Sequence, residues 1–351
     1  MVFALIGLAL LCIIGIRFAK PGQLHDGYID IKQTTAINGI FVVLVVFSHF
    51  AQYSAYKNPL DAPYNELRTI LGQLVVATFL FFSGYGVCCS IRKKGRSYIN
   101  TIPWKRLCKV LLHFDLAIGI FMLVNFLTDK SYSLKTVLLS LIGWSAVGNS
   151  NWYIFAVLVA YLITFIAFEI FGEKGCGGVI TVTVLSFVYI FVMRMVKDSW
   201  WYDTFLCYAA GMWFCLLKDK LDAVLKKHYW LYWVMLVACA GAWYISYLNR
   251  RNLLLYELHA ILFVLFFVLL SMTVRIYNPV LDWLGKNVFG IYVLQRIPMR
   301  LFGMVPAIKA LPYVHLALSF AVTLILAYLF KLLTDLVDRV LFDRKPKVSQ
   351  T

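Results

Sequence analysis

Apolar segments of about 20 residues recur along the whole chain, and they constrain its fold more than any other feature. A helix needs roughly 20 apolar residues to cross about 30 Å of hydrocarbon. Of the 351 residues, 62% are hydrophobic and only 14% are charged, whereas soluble proteins are about 45–50% apolar and about 25% charged. The apolar runs are continuous and do not alternate as membrane β-strands do. The sequence therefore predicts an all-α fold, a polytopic membrane helix bundle.

Eleven segments are candidate transmembrane helices, although the first and the seventh are short and Pro298 and Pro306 interrupt the tenth. We therefore expect about 10–11 transmembrane helices. The segments are 2–18, 37–56, 67–91, 107–127, 152–172, 178–196, 203–217, 229–248, 256–276, 286–305 and 312–340. The connections between them are too short for a soluble domain. Any chemistry therefore takes place within the bundle or at its two faces.

Lysine and arginine are concentrated in alternate connections between these segments. The set that begins with 18–36 and includes 92–109 and 218–228 holds most of the 33 basic residues. Cytoplasmic loops of membrane proteins carry such an excess. We therefore expect the N-terminus outside, the C-terminus in the cytoplasm and the protein in the plasma membrane. Because the positive charges follow the first apolar run, we interpret 2–18 as a retained helix and not as a signal peptide.

The net charge of +16 does not indicate a nucleic-acid partner. Membrane topology accounts for the basic loops, and the sequence has no soluble basic segment. The eight cysteines lie mostly within apolar runs, and none forms a CxxC pair or a Cys/His cluster with the spacing of a zinc site. We therefore expect no metal site and no nucleic acid, and membrane lipid as the surroundings of the bundle.

His49 is an ionisable residue in a very apolar segment, INGIFVVLVVFSHFAQYS at 37–54. It follows Asn38 by eleven residues, which is about three helical turns or roughly 16 Å, so the two side chains share a helix face and His49 is expected near mid-membrane. Gln52 and Tyr56 continue that face. A polar stripe faces the bundle interior rather than lipid. A neutral imidazole is the commonest general base, while a histidine that only bonds a neighbouring helix is the alternative.

Small and basic residues follow in the third segment and the connection after it. Ser83, Gly84 and Gly86 permit close helix packing or line a cavity. The basic residues that follow are Arg92, Lys93, Lys94, Arg96, Lys105, Arg106 and Lys109. Cytoplasmic topology accounts for much of this density, which also suits a polyanionic ligand such as the phosphates of coenzyme A.

Other polar residues lie nearer the ends of their segments. The stretch NSNWY at 149–153 begins the fifth segment from outside, where Trp152 either anchors the interface or borders a mouth in which a sugar stacks. Asp115 is the most unusual carboxylate because it lies within a segment. We expect Glu257 and His259 to be rim residues.

In order, these blocks resemble the acyltransferase-3 family, integral membrane O-acyltransferases that modify cell-surface glycans. The family's opening motif is a basic residue, ten residues and a histidine, which NGIFVVLVVFSH at 38–49 matches in register. The other similar blocks are FLFFSGYGV (79–87), KRLCKVL (105–111), NSNWYIFAVLVAYL (149–162), LCYAAGMWFCLLKDKL (206–221) and LGKNVFGIYVLQRIP (284–298). The resemblance implies three regions: an additional N-terminal transmembrane helix and cytoplasmic loop at 1–30, the acyltransferase-3-like membrane domain at 31–345 and a cytoplasmic tail at 346–351.

The sequence departs from the family pattern at three positions. Asn38 replaces the basic residue of the opening motif, so this position offers hydrogen bonds but no charge. Lys109 replaces the second arginine of an Arg-x-x-Arg segment, which keeps the charge and loses the bidentate fork. Gln295 stands where the family usually has a second histidine. Arg92, Lys105 and Arg106 are the candidates to compensate for the missing charge at Asn38.

The resemblance implies transfer of an acyl group, usually acetyl, from cytoplasmic acyl-CoA to a hydroxyl of a cell-surface or lipid-linked glycan. His49 is the expected catalytic residue, either as the general base or as a covalent acyl carrier. The residues expected to bind the coenzyme A phosphates are Arg92, Lys105, Arg106 and Lys109. The residues expected to line the site are Asn38, Gln52, Ser83 and Trp152. Acyl-CoA is the donor substrate, and the resemblance implies no metal.

Two other functions fit the same residues. A transporter or flippase for a surface-polymer precursor also uses an intramembrane histidine and a polar stripe. An inactive relative that serves as a membrane partner fits the missing charge at Asn38. For an enzyme, either the acceptor reaches the membrane surface itself, for example on a lipid carrier, or a separate extracytoplasmic protein completes the transfer.

Overall fold

A computed structural model describes residues 1–54 and 59–342. Tyr56 of the predicted stripe and the tail at 346–351 lie outside the described residues. Within the described part, eight helices are long and apolar enough to cross a membrane. They are Ile31–Phe50, Leu74–Lys94, Arg96–Leu127, Trp152–Phe171, Gly177–Val196, Tyr229–Leu248, Leu253–Thr273 and Pro312–Leu341. The predicted all-α membrane bundle is confirmed.

Secondary structure in the described residues is almost entirely helical. The helices are α1 (Val2–Ile13), α2 (Ile31–Phe50), α3 (Ala62–Leu71), α4 (Leu74–Lys94), α5 (Arg96–Ile99), α6 (Lys109–Leu127), α7 (Leu134–Leu141), α8 (Trp152–Phe171), α9 (Gly177–Val196), α10 (Leu206–Lys227), α11 (Tyr229–Leu248), α12 (Leu253–Thr273), α13 (Pro279–Lys286), α14 (Val288–Leu294), α15 (Arg296–Gly303), α16 (Pro306–Lys309) and α17 (Pro312–Leu341). Short 3₁₀ turns cover Pro59–Asp61 and Ser199–Trp201, and a π-helical segment, Pro103–Cys108, leads into α6.

Three of the predicted spans take other forms, so the long apolar helices are fewer than expected. Only 12 residues of the first span are helical, as α1. Later residues of this span form strand β1 (Ile16–Phe18), which pairs antiparallel with β2 (Val274–Ile276). The seventh span belongs to α10, whose second half is charged. The tenth is divided between α14 and α15 at Gln295. These three spans therefore do not form long apolar helices: the first is too short, the seventh is part of a partly charged helix, and the tenth is broken.

Two compact units make up the described chain. Unit 1 comprises Met1–Asn100 and Leu162–Val288, and unit 2 comprises Thr101–Tyr161 and the described residues from Phe289 onward. In both units, large apolar side chains cover the outside of the long helices. Val237 on α11 is 70% exposed, and Phe126 on α6 is 79% exposed. Soluble proteins rarely expose such continuous apolar surface, so these faces suit contact with lipid chains.

Helices α4 and α10 of unit 1 approach each other backbone to backbone. A Cβ atom on Gly84 would lie 2.0 Å from the carbonyl oxygen of Tyr208, and one on Gly211 would lie 2.0 Å from that of Phe81. No side chain larger than hydrogen fits at either position without movement of the helices. The prediction that small residues permit close approach is therefore confirmed at Gly84, whereas a Cβ on Gly86 would have no neighbour within 4 Å.

Ion pairs and hydrogen bonds join several connections of unit 1 at one end. The pairs are Asp26 with Lys226 (2.6 Å), Tyr28 with Asp222 (2.7 Å), Asp30 with Arg275 (2.8 Å), Arg92 with Asp219 (3.6 Å) and Arg96 with Glu169. Burial, together with the Asp222 carboxylate, raises the pKa of the Tyr28 hydroxyl, which therefore remains a donor. Glu169 lies near the end of the fifth predicted segment, and the other residues belong to connections that the sequence assigns to one side of the membrane. We call this the basic end of unit 1.

Candidate functional site

His49 lies in the last turn of α2, because this helix begins six residues earlier than predicted and ends one residue after the histidine. The structure thus places His49 at the end of this helix, and its depth near mid-membrane stays a prediction. At 1.5 Å per residue, His49 is roughly 27 Å from the start of α2 and roughly 16 Å from Asn38. The Tyr64 hydroxyl donates to the carbonyl oxygen of Phe47 at 2.7 Å and so holds this last turn. The His49 side chain is half-buried.

Asn38 lies on the same face of α2 as His49, because eleven residues complete about three turns. The next residue, Gly39, packs against α13, where its Cβ would lie 2.2 Å from the carbonyl oxygen of Leu281. The Oδ1 atom of Asn38 is buried and accepts no hydrogen bond from the described residues, and the amide of Gln33 is likewise buried without a partner. An unpaired buried polar group costs about 1–3 kcal/mol. These amides therefore offer free hydrogen-bonding capacity along α2.

Gln52 and Ser83 are arranged differently around this face. The helix ends before Gln52, whose backbone N–H donates to the carbonyl oxygen of His49 at 3.0 Å, and its side chain is exposed. Gln52 is thus a neighbour of His49 in sequence but not a member of the helical stripe. Ser83 is half-buried on α4, a helix that packs against α2.

Arg92 is tied to the neighbouring helix α10 at the basic end of unit 1. Its Nη1 atom donates to the carbonyl oxygen of Cys215 at 2.8 Å, and its Nη2 atom lies 3.6 Å from the carboxylate of Asp219. The side chain keeps 44% exposure. Its charge is therefore only partly engaged, and it remains accessible to a ligand at this end.

The three other basic residues expected to bind phosphates lie in unit 2 and differ in their contacts. Lys109 pairs with Asp338 at 2.6 Å, so its charge is neutralised within the protein. The guanidinium of Arg106 lies 5.7 Å from the centre of the Tyr161 ring. The Lys105 side chain is exposed and makes no ion pair with the described residues. Lys105 is the most accessible cation of the three, whereas Lys109 has a structural partner.

Asp338 also accepts from the imidazole of His113 at 2.9 Å, so it joins two residues of α6 to the end of α17. The side chain of Asp338 is 10% exposed. No sequence pattern distinguishes this aspartate, because it lies in a run of charged residues that is typical of a solvated helix end. Its burial is a consequence of helix packing and not of a local pattern.

Trp152 begins helix α8 in unit 2 and meets the ring of Tyr153 edge-on at 6.0 Å. The two asparagines before it hold the backbone of the preceding connection. Asn149 accepts from the N–H of Val147 at 2.9 Å, and Asn151 donates to the carbonyl oxygen of Gly143 at 2.7 Å. The stretch at 149–153 is therefore an ordered loop at a helix start, in which Trp152 is half-buried.

Two arginines of α15 contact this same part of unit 2, and the sequence reasoning missed them. Arg296 donates from Nε to the Ser150 hydroxyl at 2.8 Å. Arg300 donates from Nη1 to Asn125 Oδ1 at 2.6 Å and from Nη2 to the Thr128 hydroxyl at 3.2 Å. The signal was present, since two arginines four residues apart lay inside a predicted span.

Glu257 and His259 were predicted to be rim residues, and this is wrong. Each is only 1% exposed. Glu257 accepts from the N–H of Leu206 at 3.1 Å and so caps the start of α10. His259 stacks on Trp243 with ring centres 5.2 Å apart.

Asp115 remains an unusual carboxylate in the structure. Its Oδ1 atom is buried without a hydrogen-bond partner among the described residues.

The site residues proposed from the sequence divide between the two units. Unit 1 contains the residues of the α2 face and α4 together with one basic residue: Asn38, His49, Gln52, Ser83 and Arg92. Unit 2 contains the other three basic residues and the tryptophan: Lys105, Arg106, Lys109 and Trp152. Within residues 1–54 and 59–342, no group of three or more His, Cys, Asp or Glu side chains is arranged to hold a metal ion.

A family model described as an acyltransferase domain, that of the acyltransferase-3 family, matches residues 34–332 of the chain. The matched range contains Asn38, His49 and every other site residue predicted from the sequence. It covers well over half of the chain. Comparison with curated proteins and with solved structures finds no match.

Proposed function

Because the chain belongs to the acyltransferase-3 family and is a membrane acyltransferase, we propose that it moves an acyl group from cytoplasmic acyl-CoA to a hydroxyl of a cell-surface or lipid-linked glycan. Acetyl is the proposed acyl group. The observation that carries this proposal is the pair of Asn38 and His49 on one face of α2, inside the family's opening motif.

His49 is proposed to act at the reacting hydroxyl. In the direct route, the imidazole accepts the hydroxyl proton while the oxygen attacks the carbonyl carbon of the thioester. The C–S bond then breaks, and the coenzyme A thiolate takes up the proton. The C-terminal end of a helix carries partial negative charge, which stabilises the imidazolium that forms in the last turn of α2. The buried amide of Asn38 supplies a hydrogen bond further along the same face.

The covalent route uses the same residue in two steps. An imidazole nitrogen attacks the thioester carbonyl carbon, the C–S bond breaks, and coenzyme A leaves as the thiol after it has gained a proton. The acceptor hydroxyl then attacks the acyl-imidazole, and the imidazole leaves with the hydroxyl proton. In both routes the acyl group ends as an ester on the acceptor and His49 returns to its initial state.

The donor is proposed to bind by its phosphates where accessible cations occur, which supports Arg92 and Lys105 ahead of Lys109. Arg106 retains a charge over the Tyr161 ring and is the fourth candidate. We propose that the basic end faces the cytoplasm of a plasma-membrane protein, since positive charge is retained on that side. His49, at the other end of α2, is then near the outer surface, where Gln52 and Ser83 line the path of the acceptor.

The proposal is tested by the O-acetyl content of surface glycans in cells with and without the protein. We expect alkali-labile acetyl esters to appear with the wild type and to be absent with His49→Ala at equal protein level. Isolated membranes given labelled acetyl-CoA separate this function from transport. If the membranes never bind or consume the thioester while the glycan precursor still crosses them, the protein is a transporter and the proposal is wrong.

A further inference from the structure

Arg296 and Arg300 lie four residues apart on α15 and are therefore neighbours on one helix face. Both guanidinium groups are half-buried. Arg300 donates hydrogen bonds to Asn125 and Thr128 at the end of α6, whereas Arg296 donates to Ser150 through its Nε atom alone. A guanidinium has five N–H donors, so several donors of Arg296 have no partner among the described residues.

Every contact that holds these two arginines is neutral. Their hydrogen-bond acceptors are an amide and two hydroxyls, and neither arginine forms an ion pair with the described residues. Ile297 and Met299, which lie between them on α15, are buried. A partly buried charge is costly unless it is paired or faces water. Two adjacent unpaired guanidinium groups therefore call for an anionic ligand.

The surrounding contacts orient the pair before any ligand binds. Asn125 accepts from Arg300 and donates to the carbonyl oxygen of Val147 at 2.8 Å, so the arginine is fixed to the connection before α8. Gly148 adopts a φ of +106°, and a Cβ there would lie 3.4 Å from Nη1 of Arg300. The backbone at Gly148 thus leaves room for the guanidinium. A preorganised charged pair of this kind binds planar or tetrahedral oxyanions well.

Within unit 2 this pair is remote from the cations expected to bind coenzyme A. Lys109 begins α6, and Asn125 lies sixteen residues further along the same helix, which is roughly 24 Å. The arginines therefore lie at the opposite end of α6 from Lys109 and its partner Asp338. The ligand is for this reason not the phosphates of the acyl donor.

We propose that Arg296 and Arg300 bind an oxyanion carried by the acyl acceptor. The shared chemistry is a phosphate or a carboxylate, supplied either by the phosphate that links a glycan to a lipid carrier or by an acidic sugar. This inference rests on the proposed function, because it names the class of acceptor. The pair selects acidic acceptors and holds them at the end of α6 opposite to Lys109.

Binding to the purified full chain in a phosphate-free maltoside detergent tests the site without any need for activity. The probes are farnesyl phosphate and farnesol for the lipid-linked source, and glucuronic acid and glucose for the sugar source. We expect the anionic member of one pair to bind and its neutral partner to bind at least tenfold more weakly. Arg296→Gln and Arg300→Gln should each weaken the anionic probe roughly 10-fold to 100-fold.

Two controls separate a ligand site from a structural role. Arg251→Gln removes one positive charge from an exposed position in unit 1 and should leave binding unchanged. Arg296→Lys keeps the charge without the fork, so binding should fall less than with Gln, and an unchanged melting temperature shows that the fold is intact.

Three results would overturn the proposal. They are equal binding of anionic and neutral probes, equal loss of coenzyme A binding in the two arginine variants, and equal binding of dihexanoyl phosphatidylglycerol, which would indicate a site for membrane lipid. Failure of the proposed function is distinguishable, because it appears as a lack of acetyl-CoA consumption while probe binding remains.

Discussion

The close approach of α4 and α10 makes Gly84 a sensitive position, and Gly84→Ala is the substitution that tests it. An added Cβ would lie 2.0 Å from the carbonyl oxygen of Tyr208, where ordinary contact begins at 3.4 Å. The backbones have to separate by roughly 1.4 Å, which is the difference between these two distances. The contact is with backbone, so no side chain can turn away to relieve it.

Overpacking in a close-packed interior should lower the stability of the Gly84→Ala protein by about 1–3 kcal/mol. Gly86→Ala on the same helix is the matched control, because its Cβ would meet nothing within 4 Å. Both substitutions gain the same helix propensity, roughly 0.5–1 kcal/mol. The difference between the variants therefore isolates the packing effect.

Thermal unfolding of the purified protein in detergent measures this difference. At about 2 °C for each kcal/mol in a chain of this size, Gly84→Ala should melt roughly 2–6 °C below Gly86→Ala. Equal melting temperatures for the two variants would refute the backbone-to-backbone contact. Because α4 also carries Ser83, a separation of these helices should lower acyl transfer as well.

Three further tests use substitutions at individual contacts. Asp338→Asn leaves Lys109 and His113 without their shared carboxylate and should destabilise the protein by about 1–3 kcal/mol in thermal unfolding. The control is Asp335→Asn, which removes an exposed ion pair with Lys331 and should cost about 0–1 kcal/mol of stability. Lys105→Gln should raise the KM for acetyl-CoA several-fold more than Lys109→Gln, because Lys109 pairs with Asp338 while Lys105 pairs with no carboxylate in the described part of the chain. The reverse order in steady-state kinetics would contradict the assignment. Asn38→Arg restores the family's charge, and a large gain in turnover would indicate that the wild-type site is degenerate.

Much of the fold could be predicted from the sequence because lipid imposes a strong and simple constraint. Continuous apolar runs predicted the helical membrane bundle, and the order of six sequence blocks predicted the family. The limits of α2 were less predictable. Polar residues at 31–36 looked like a loop, but Asp30 caps the helix by accepting from the N–H of Gln33 at 2.8 Å, so the helix starts before its apolar part.

The surroundings of the charged residues depended on tertiary contacts that no local pattern reveals. Lys109 looked like a free cation until the end of α17 supplied Asp338. Glu257 looked like a rim residue, yet it caps the start of α10. Arg296 and Arg300 matter because their hydrogen-bond partners among residues 1–54 and 59–342 are neutral side chains.

Acyl transfer from labelled acetyl-CoA by the purified protein tests the central claim most directly. Wild type and His228→Ala, which alters an exposed histidine at the end of α10, should consume the thioester at similar rates. His49→Ala should melt like the wild type and consume none above background. If the folded His49→Ala variant transfers acetyl groups at the wild-type rate, His49 is not the residue that performs the transfer.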